Sequence, residues 1–138
     1  MTSIRHTVKK SEWALRKHEF LSVYHYALQY QSWKDEYASI SGGLSAITND
    51  GMPHATGTSN PTEAKAMRMA ELSKKIEMIE ETAKEAGGVL APWILKAVTH
   101  EEVTYTYLRS IMGIPCGKNL FYDHRRKFYY LLNRRLNK

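Results

Sequence analysis

The residues that interrupt helices fall in only three short stretches of this chain. All eight glycines and all four prolines lie within residues 42–61, 87–92 and 113–117. Glycine and proline are the residues least compatible with a helix interior. Between these stretches, apolar residues recur at intervals of three and four, which is the period of an amphipathic helix and not the alternation of a strand. The pattern therefore predicts an all-α protein.

The N-terminal part is predicted to be one long helix or arm over residues 1–40, followed by a linker over residues 41–61. From Lys9 to Ile40 there is neither proline nor glycine, and large side chains recur at helical spacing: Trp13, Phe20, Val23, Tyr24, Ala27, Leu28 and Tyr30. This aromatic surface predicts packing against the rest of the fold or against a second copy, with a functional aromatic platform as the alternative. Residues 41–61 hold four glycines and two prolines, which favours a linker, although an ordered irregular segment over the core stays open.

Residues 62–138 are predicted to form a small helical domain. Its first helix has clear ends: Ser59 or Asn60 as N-cap with Pro61 after it, and Gly87-Gly88 as a left-handed stop directly after Ala86. The apolar seam of this helix suits either a bundle inside one chain or a dimer: Met69, Leu72, Ile76, Ile79 and Ala83. A shorter apolar helix over residues 89–99 is expected to be buried at the centre of the domain.

The positive charge of the chain is concentrated in its last 36 residues. Residues 103–138 hold eight basic residues and one acidic residue, whereas the whole chain has a net charge of +6. Clustered lysines and arginines displace counterions from phosphates and make binding strong and salt-dependent. A polyanion is therefore the first partner to consider.

The same basic region has the pattern of a C-terminal helix-turn-helix over about residues 100–136. Thr99 and Glu102 form a capping-box pattern before a helix predicted from His100 to Met112. Residues 113–117 then make a tight turn, and a second helix is predicted over residues 118–135. Its apolar positions are Leu120, Phe121, Phe128, Leu131 and Leu132.

The second helix also has side chains suited to double-stranded DNA. Arginine pairs with guanine and asparagine with adenine, so we expect the bases to be read by Asn119, Tyr122, Asp123, Arg126 and Lys127. Phosphates are expected to be contacted by Lys118, Arg125, Arg134 and Arg135. The alternative is a solvated basic face, because the helix dipole itself favours cations near a C-terminus.

Residues 104–136, TYTYLRSIMGIPCGKNLFYDHRRKFYYLLNRRL, resemble the C-terminal helix-turn-helix of a known family. The family comprises small phage-encoded, sigma-region-4-like transcription regulators of Gram-positive bacteria, the RinA and ArpU group. The matching positions are Gly113, Ile114, Tyr122, Arg125 and Arg126, and residues 59–64 resemble the segment that opens the family's middle helix. The chain departs from the pattern at Pro115 and at Cys116-Gly117. The resemblance implies a phage or prophage transcription regulator.

Other functions and partners are constrained less strongly. No catalytic motif accompanies Cys116, and the histidines lack metal-ligand spacing, so neither an enzyme, a metal nor a cofactor is predicted. The charged N-terminus and the lack of a long apolar run predict a protein of the bacterial cytoplasm with no membrane contact. Two alternatives to a regulator stay open: a small terminase-like oligomer for DNA packaging, and a helical protein that binds RNA polymerase or a defence complex. A homodimer is also compatible with the sequence.

Overall fold

The computed structural model describes residues 12–49 and 60–138 and confirms the all-α prediction. In these residues every regular element is helical. The α-helices are α1 (Lys17–Ala27), α2 (Tyr30–Asn49), α3 (Asn60–Gly87), α4 (Ala91–Thr99), α5 (Tyr105–Ser110) and α6 (Lys118–Leu136). Within the described ranges, none of them combines the length and apolar composition needed to cross a bilayer.

The predicted N-terminal helix is divided in two. Helix α1 begins only at Lys17, because Glu19 caps it: the Glu19 carboxylate accepts a hydrogen bond from the Arg16 backbone N–H at 3.0 Å. The chain then breaks after Ala27, and α2 begins at Tyr30. No glycine or proline marks this break, which coincides with the boundary between two compact units.

The predicted linker is partly helical. Helix α2 continues to Asn49, so residues 41–49 are helical, while residues 50–59 lie outside the described part of the chain. Gly42 and Gly43 are therefore inside a helix. Glycine weakens a helix by about 1 kcal/mol relative to alanine, but its φ and ψ remain free to be helical.

The chain forms two compact units whose boundaries differ from the predicted domains. The middle unit is Tyr30–Glu77, and the terminal unit joins the residues up to Gln29 with Met78–Lys138. In the middle unit the Arg68 guanidinium makes two hydrogen bonds to the Glu36 carboxylate, at 2.8 and 3.0 Å. The Lys75 ammonium of α3 lies 5.4 Å from the centre of the Trp33 ring of α2. These pairs run in opposite directions along α2 and α3, so the two helices are antiparallel.

Helix α6 packs against α1 and α4 in the core of the terminal unit. Its buried residues are Phe121, Phe128, Tyr129, Leu131 and Leu132. The Phe20 ring of α1 lies edge-on to the Tyr129 ring, with centroids 5.1 Å apart. Helix α4 buries Ile94 and Val98 completely, which agrees with the central position predicted for it.

The ends of the remaining helices follow the local sequence closely, with one exception. Helix α3 spans Asn60–Gly87 and ends where Gly88 adopts a φ of +57°, as predicted. Helix α5, in contrast, has only six residues, because its N-cap is Thr104 and not Thr99. The Thr104 hydroxyl accepts a hydrogen bond from the Tyr107 N–H, whereas the Thr99 hydroxyl donates to the Leu95 carbonyl of α4.

Candidate nucleic-acid interface

The turn between α5 and α6 has a fixed geometry. Gly113 adopts a φ of +62°, a left-handed conformation that glycine reaches without strain. The next residue, Ile114, is 2% exposed, and its N–H donates to the Leu108 carbonyl at 3.0 Å. The turn therefore directs α6 away from α5 with one side chain anchored in the core.

Two further hydrogen bonds attach this turn to its surroundings. The indole N–H of Trp93 donates to the Met112 carbonyl at 2.9 Å, which joins α4 to the end of α5. The Tyr105 hydroxyl donates to the Cys116 carbonyl at 2.6 Å, and the Tyr105 ring lies 5.7 Å from that of Phe121. The start of α6 is thus held from both sides, and a contact made there does not first require ordering of the backbone.

The Cys116 thiol lies in this turn but is poorly suited to reaction. Burial raises its pKa, and the positive charge of Arg109 offsets this only in part. Because the thiolate is the reactive form, a raised pKa favours a structural role over a nucleophilic one.

The first turn of α6 projects three residues into solvent. Lys118, Asn119 and Leu120 are exposed, whereas Phe121 is buried at 2% exposure. Leu120 is the one apolar position named above for this helix that lies outside the core: its side chain is 50% exposed. Leu120 and Phe121 are adjacent and so point about 100° apart around the helix, and packing selects Phe121.

The burial pattern fixes the orientation of α6. Phe121, Phe128 and Leu132 mark the core side, so at 100° per residue the opposite side holds Asn119, Asp123 and Arg126. The geometry therefore brings these three predicted base-reading residues together. Tyr122 and Arg125 lie on the flanks and are half-buried.

The middle of α6 presents cations that already have neighbours. The Arg125 guanidinium lies 5.0 Å from the centre of the Tyr129 ring, which is fully buried and whose pKa is raised by that burial. Arg126 approaches Asp123 at 3.6 Å, but its Nε is buried and meets no hydrogen-bond acceptor among the residues that the structure describes. The Lys127 ammonium lies over the Trp13 ring at 5.2 Å.

The two arginines at the end of α6 differ in their surroundings. Arg134 is exposed. Arg135 instead pairs with α3, donating hydrogen bonds to the Thr82 hydroxyl and the Glu85 carboxylate. Its charge is already satisfied inside the protein, so its predicted role as a phosphate contact is not supported by its position.

The sequence analysis did not predict two aromatic residues that lie beside the cations of α6, Trp13 and Tyr130. Their rings have centroids 5.3 Å apart, and the Arg134 guanidinium lies 6.0 Å from the Tyr130 ring. The sequence pattern predicts Trp13 to be part of the N-terminal helix, but it lies before α1. Helical periodicity does not place a residue outside a helix, so no sequence signal identified this contact.

Comparison with known proteins leaves the family open. The chain matches no protein-family model, no curated protein and no solved structure. The similarity to sigma-region-4-like regulators accordingly rests on the positions named above, of which Gly113 and Ile114 form the turn and Arg125 and Arg126 lie on α6.

Proposed function

We propose that this protein binds double-stranded DNA sequence-specifically and acts as a transcription regulator of the kind its C-terminal segment resembles. In this proposal the first turns of α6 enter the major groove. One observation carries the proposal: α6 begins with exposed Lys118 and Asn119 directly after a turn that is fixed by buried and hydrogen-bonded residues. Groove recognition requires polar side chains at the start of a rigidly held helix.

The state of Arg126 supports a polyanionic ligand. Its side chain is 30% exposed, although its Nε is buried and meets no acceptor among the described residues. A guanine edge or a phosphate is therefore bound by the terminal N–H groups of the guanidinium and not by Nε. The contact with Asp123, at 3.6 Å, is too long to be a strong hydrogen bond and leaves the guanidinium available.

The contacts divide into reading and anchoring groups. Asn119 and Arg126 share the outward side of α6 and read bases, while the exposed Lys118 and Arg134 contact phosphates. Arg135 belongs to neither group because it is bound to α3.

Selection from a pool of random duplexes, followed by gel shifts, tests the proposal. We expect a preferred sequence, with Asn119→Ala and Arg126→Ala each reducing discrimination at one position by about 1–3 kcal/mol. Arg134→Ala should weaken all duplexes alike. The absence of any salt-dependent duplex binding would overturn the proposal, and a ring of many subunits in light scattering would favour DNA packaging instead.

A further inference from the structure

A row of alternating cationic and aromatic side chains covers the second half of α6. The Lys127 ammonium lies 5.2 Å from the centre of the Trp13 ring, and Trp13 meets Tyr130 edge-on at 5.3 Å. The Arg134 guanidinium then lies 6.0 Å from the centre of Tyr130. Trp13 reaches this row from outside α6, from the segment that precedes α1.

The aromatic rings restrict the two cations. Lys127 and Arg134 are seven residues apart, which places them on one side of the helix and about 10.5 Å apart along its axis. Free lysine and arginine side chains lose much conformational entropy when they bind. A cation held over a ring has already lost part of this conformational entropy, so the entropy lost when a phosphate binds is smaller.

The position of Lys127 along α6 suits the DNA backbone better than the bases. It lies eight residues after Asn119, or about 12 Å along the axis, whereas the major groove is about 8.5 Å deep. A helix that enters the groove by its N-terminal turn, with Asn119 at the base edges, therefore has Lys127 near the phosphates.

The sequence before Trp13 adds positive charge at this end of the chain. Residues 1–11 contain Arg5, Lys9 and Lys10 and no acidic residue, and they are followed by the acidic Glu12 directly before Trp13. Residues 1–11 lie outside the described part of the chain, but their charge makes an anionic partner chemically suitable for the surface that Trp13 joins.

We infer that Trp13 and Tyr130 are positioning residues that hold Lys127 and Arg134 as a second phosphate-contacting surface. This surface binds the duplex backbone beside the bases that the first turn of α6 reads. The inference rests on the proposed function, and it extends the interface beyond the helix-turn-helix to the N-terminal segment.

The test compares Trp13→Ala with Trp13→Phe in the full chain. Affinity is measured for a 30-base-pair duplex of random sequence between 50 and 200 mM salt. The salt slope, which is the fall in the logarithm of the affinity per unit logarithm of the salt concentration, is about 0.9 for each phosphate contact. We expect Trp13→Ala to lower the slope by about 1 and to weaken binding about three- to tenfold at 100 mM salt. Trp13→Phe keeps a ring beneath Lys127 and should leave the slope unchanged.

Lys127→Met provides the second variant, because it keeps an apolar side chain over Trp13 and removes only the charge. It should lower the slope as Trp13→Ala does, and the double variant should be no worse than either single one. If Trp13→Ala binds as tightly as the wild type or more tightly, with an unchanged slope, Trp13 only packs against α6 or covers it, and the inference is wrong. If the wild type binds no duplex, the proposed function itself fails.

Discussion

Arg134 and Arg135 are neighbours in sequence but should respond oppositely to substitution. Arg135 donates hydrogen bonds to Thr82 and Glu85 of α3, whereas Arg134 is exposed. We therefore expect Arg135→Ala to lower the free energy of unfolding with little change in the salt slope of DNA binding. Arg134→Ala should lower the salt slope of DNA binding and leave the free energy of unfolding nearly unchanged.

The size of the stability loss follows from the environment of each contact. Thr82 is fully buried, and its hydroxyl still donates to the Met78 carbonyl at 2.6 Å, so only its acceptor function loses a partner. A hydrogen bond to a charged group contributes about 1.5–3 kcal/mol. The Glu85 side chain is 52% exposed, so its ion pair adds only about 0.2–1 kcal/mol. The expected loss for Arg135→Ala is about 2 kcal/mol.

Urea denaturation followed by circular dichroism measures the first quantity, and duplex binding at several salt concentrations measures the second. Arg134→Ala serves as the matched control, with a change in unfolding free energy of about 0.5 kcal/mol or less. The reasoning is refuted if Arg135→Ala leaves stability unchanged and lowers the salt slope by about one phosphate contact.

Three further predictions concern the turn and the middle unit. Gly113→Ala should cost about 1–2 kcal/mol in urea denaturation because of its left-handed φ; Gly117→Ala, with open space around it and no such φ, is the control, and equal effects would contradict this explanation. Because burial raises the pKa of Cys116, its alkylation rate should keep rising with pH beyond the value of about 8.5 for a free cysteine; a midpoint at or below that value would show otherwise. The hydrogen bond from Arg68 lowers the pKa of Glu36, so this pair stabilises the protein above the usual glutamate pKa of about 4.3 and stops doing so as the pH falls through the lowered value. Glu36→Gln should therefore be less stable than the wild type at pH 7 but equal to it near pH 2, and a gap that persists in acid would exclude this origin.

Local chemistry explains which parts of the fold the sequence predicts well. Asn60 and Gly87 bound α3 as expected, and the turn at residues 113–117 precedes α6 at Lys118. Helix caps and left-handed glycines act over three or four residues, so a short stretch of sequence contains everything that decides where the helix begins or ends.

Tertiary contacts decide the rest. The break after Ala27 has no glycine or proline, and the choice between Leu120 and Phe121 for the core depends on what packs against α6. Arg135 appears identical to Arg134 in sequence, but only Arg135 meets α3. The candidate interface was therefore predictable in composition, but not in the orientation of α6 or in which of its cations are already engaged within the fold.

The pairing of α1 with α6 has a consequence for synthesis of the chain. Phe20 and Tyr129 are in ring contact across more than a hundred residues of sequence, and closing a loop of about 100 residues costs about 4 kcal/mol in chain entropy. On the ribosome, α1 emerges before α6 and has no α6 to pack on until about 90 further residues have been made. A chain that stops before Phe128 should leave the amides of α1 unprotected in hydrogen exchange, so the terminal unit assembles only after the middle unit has been made.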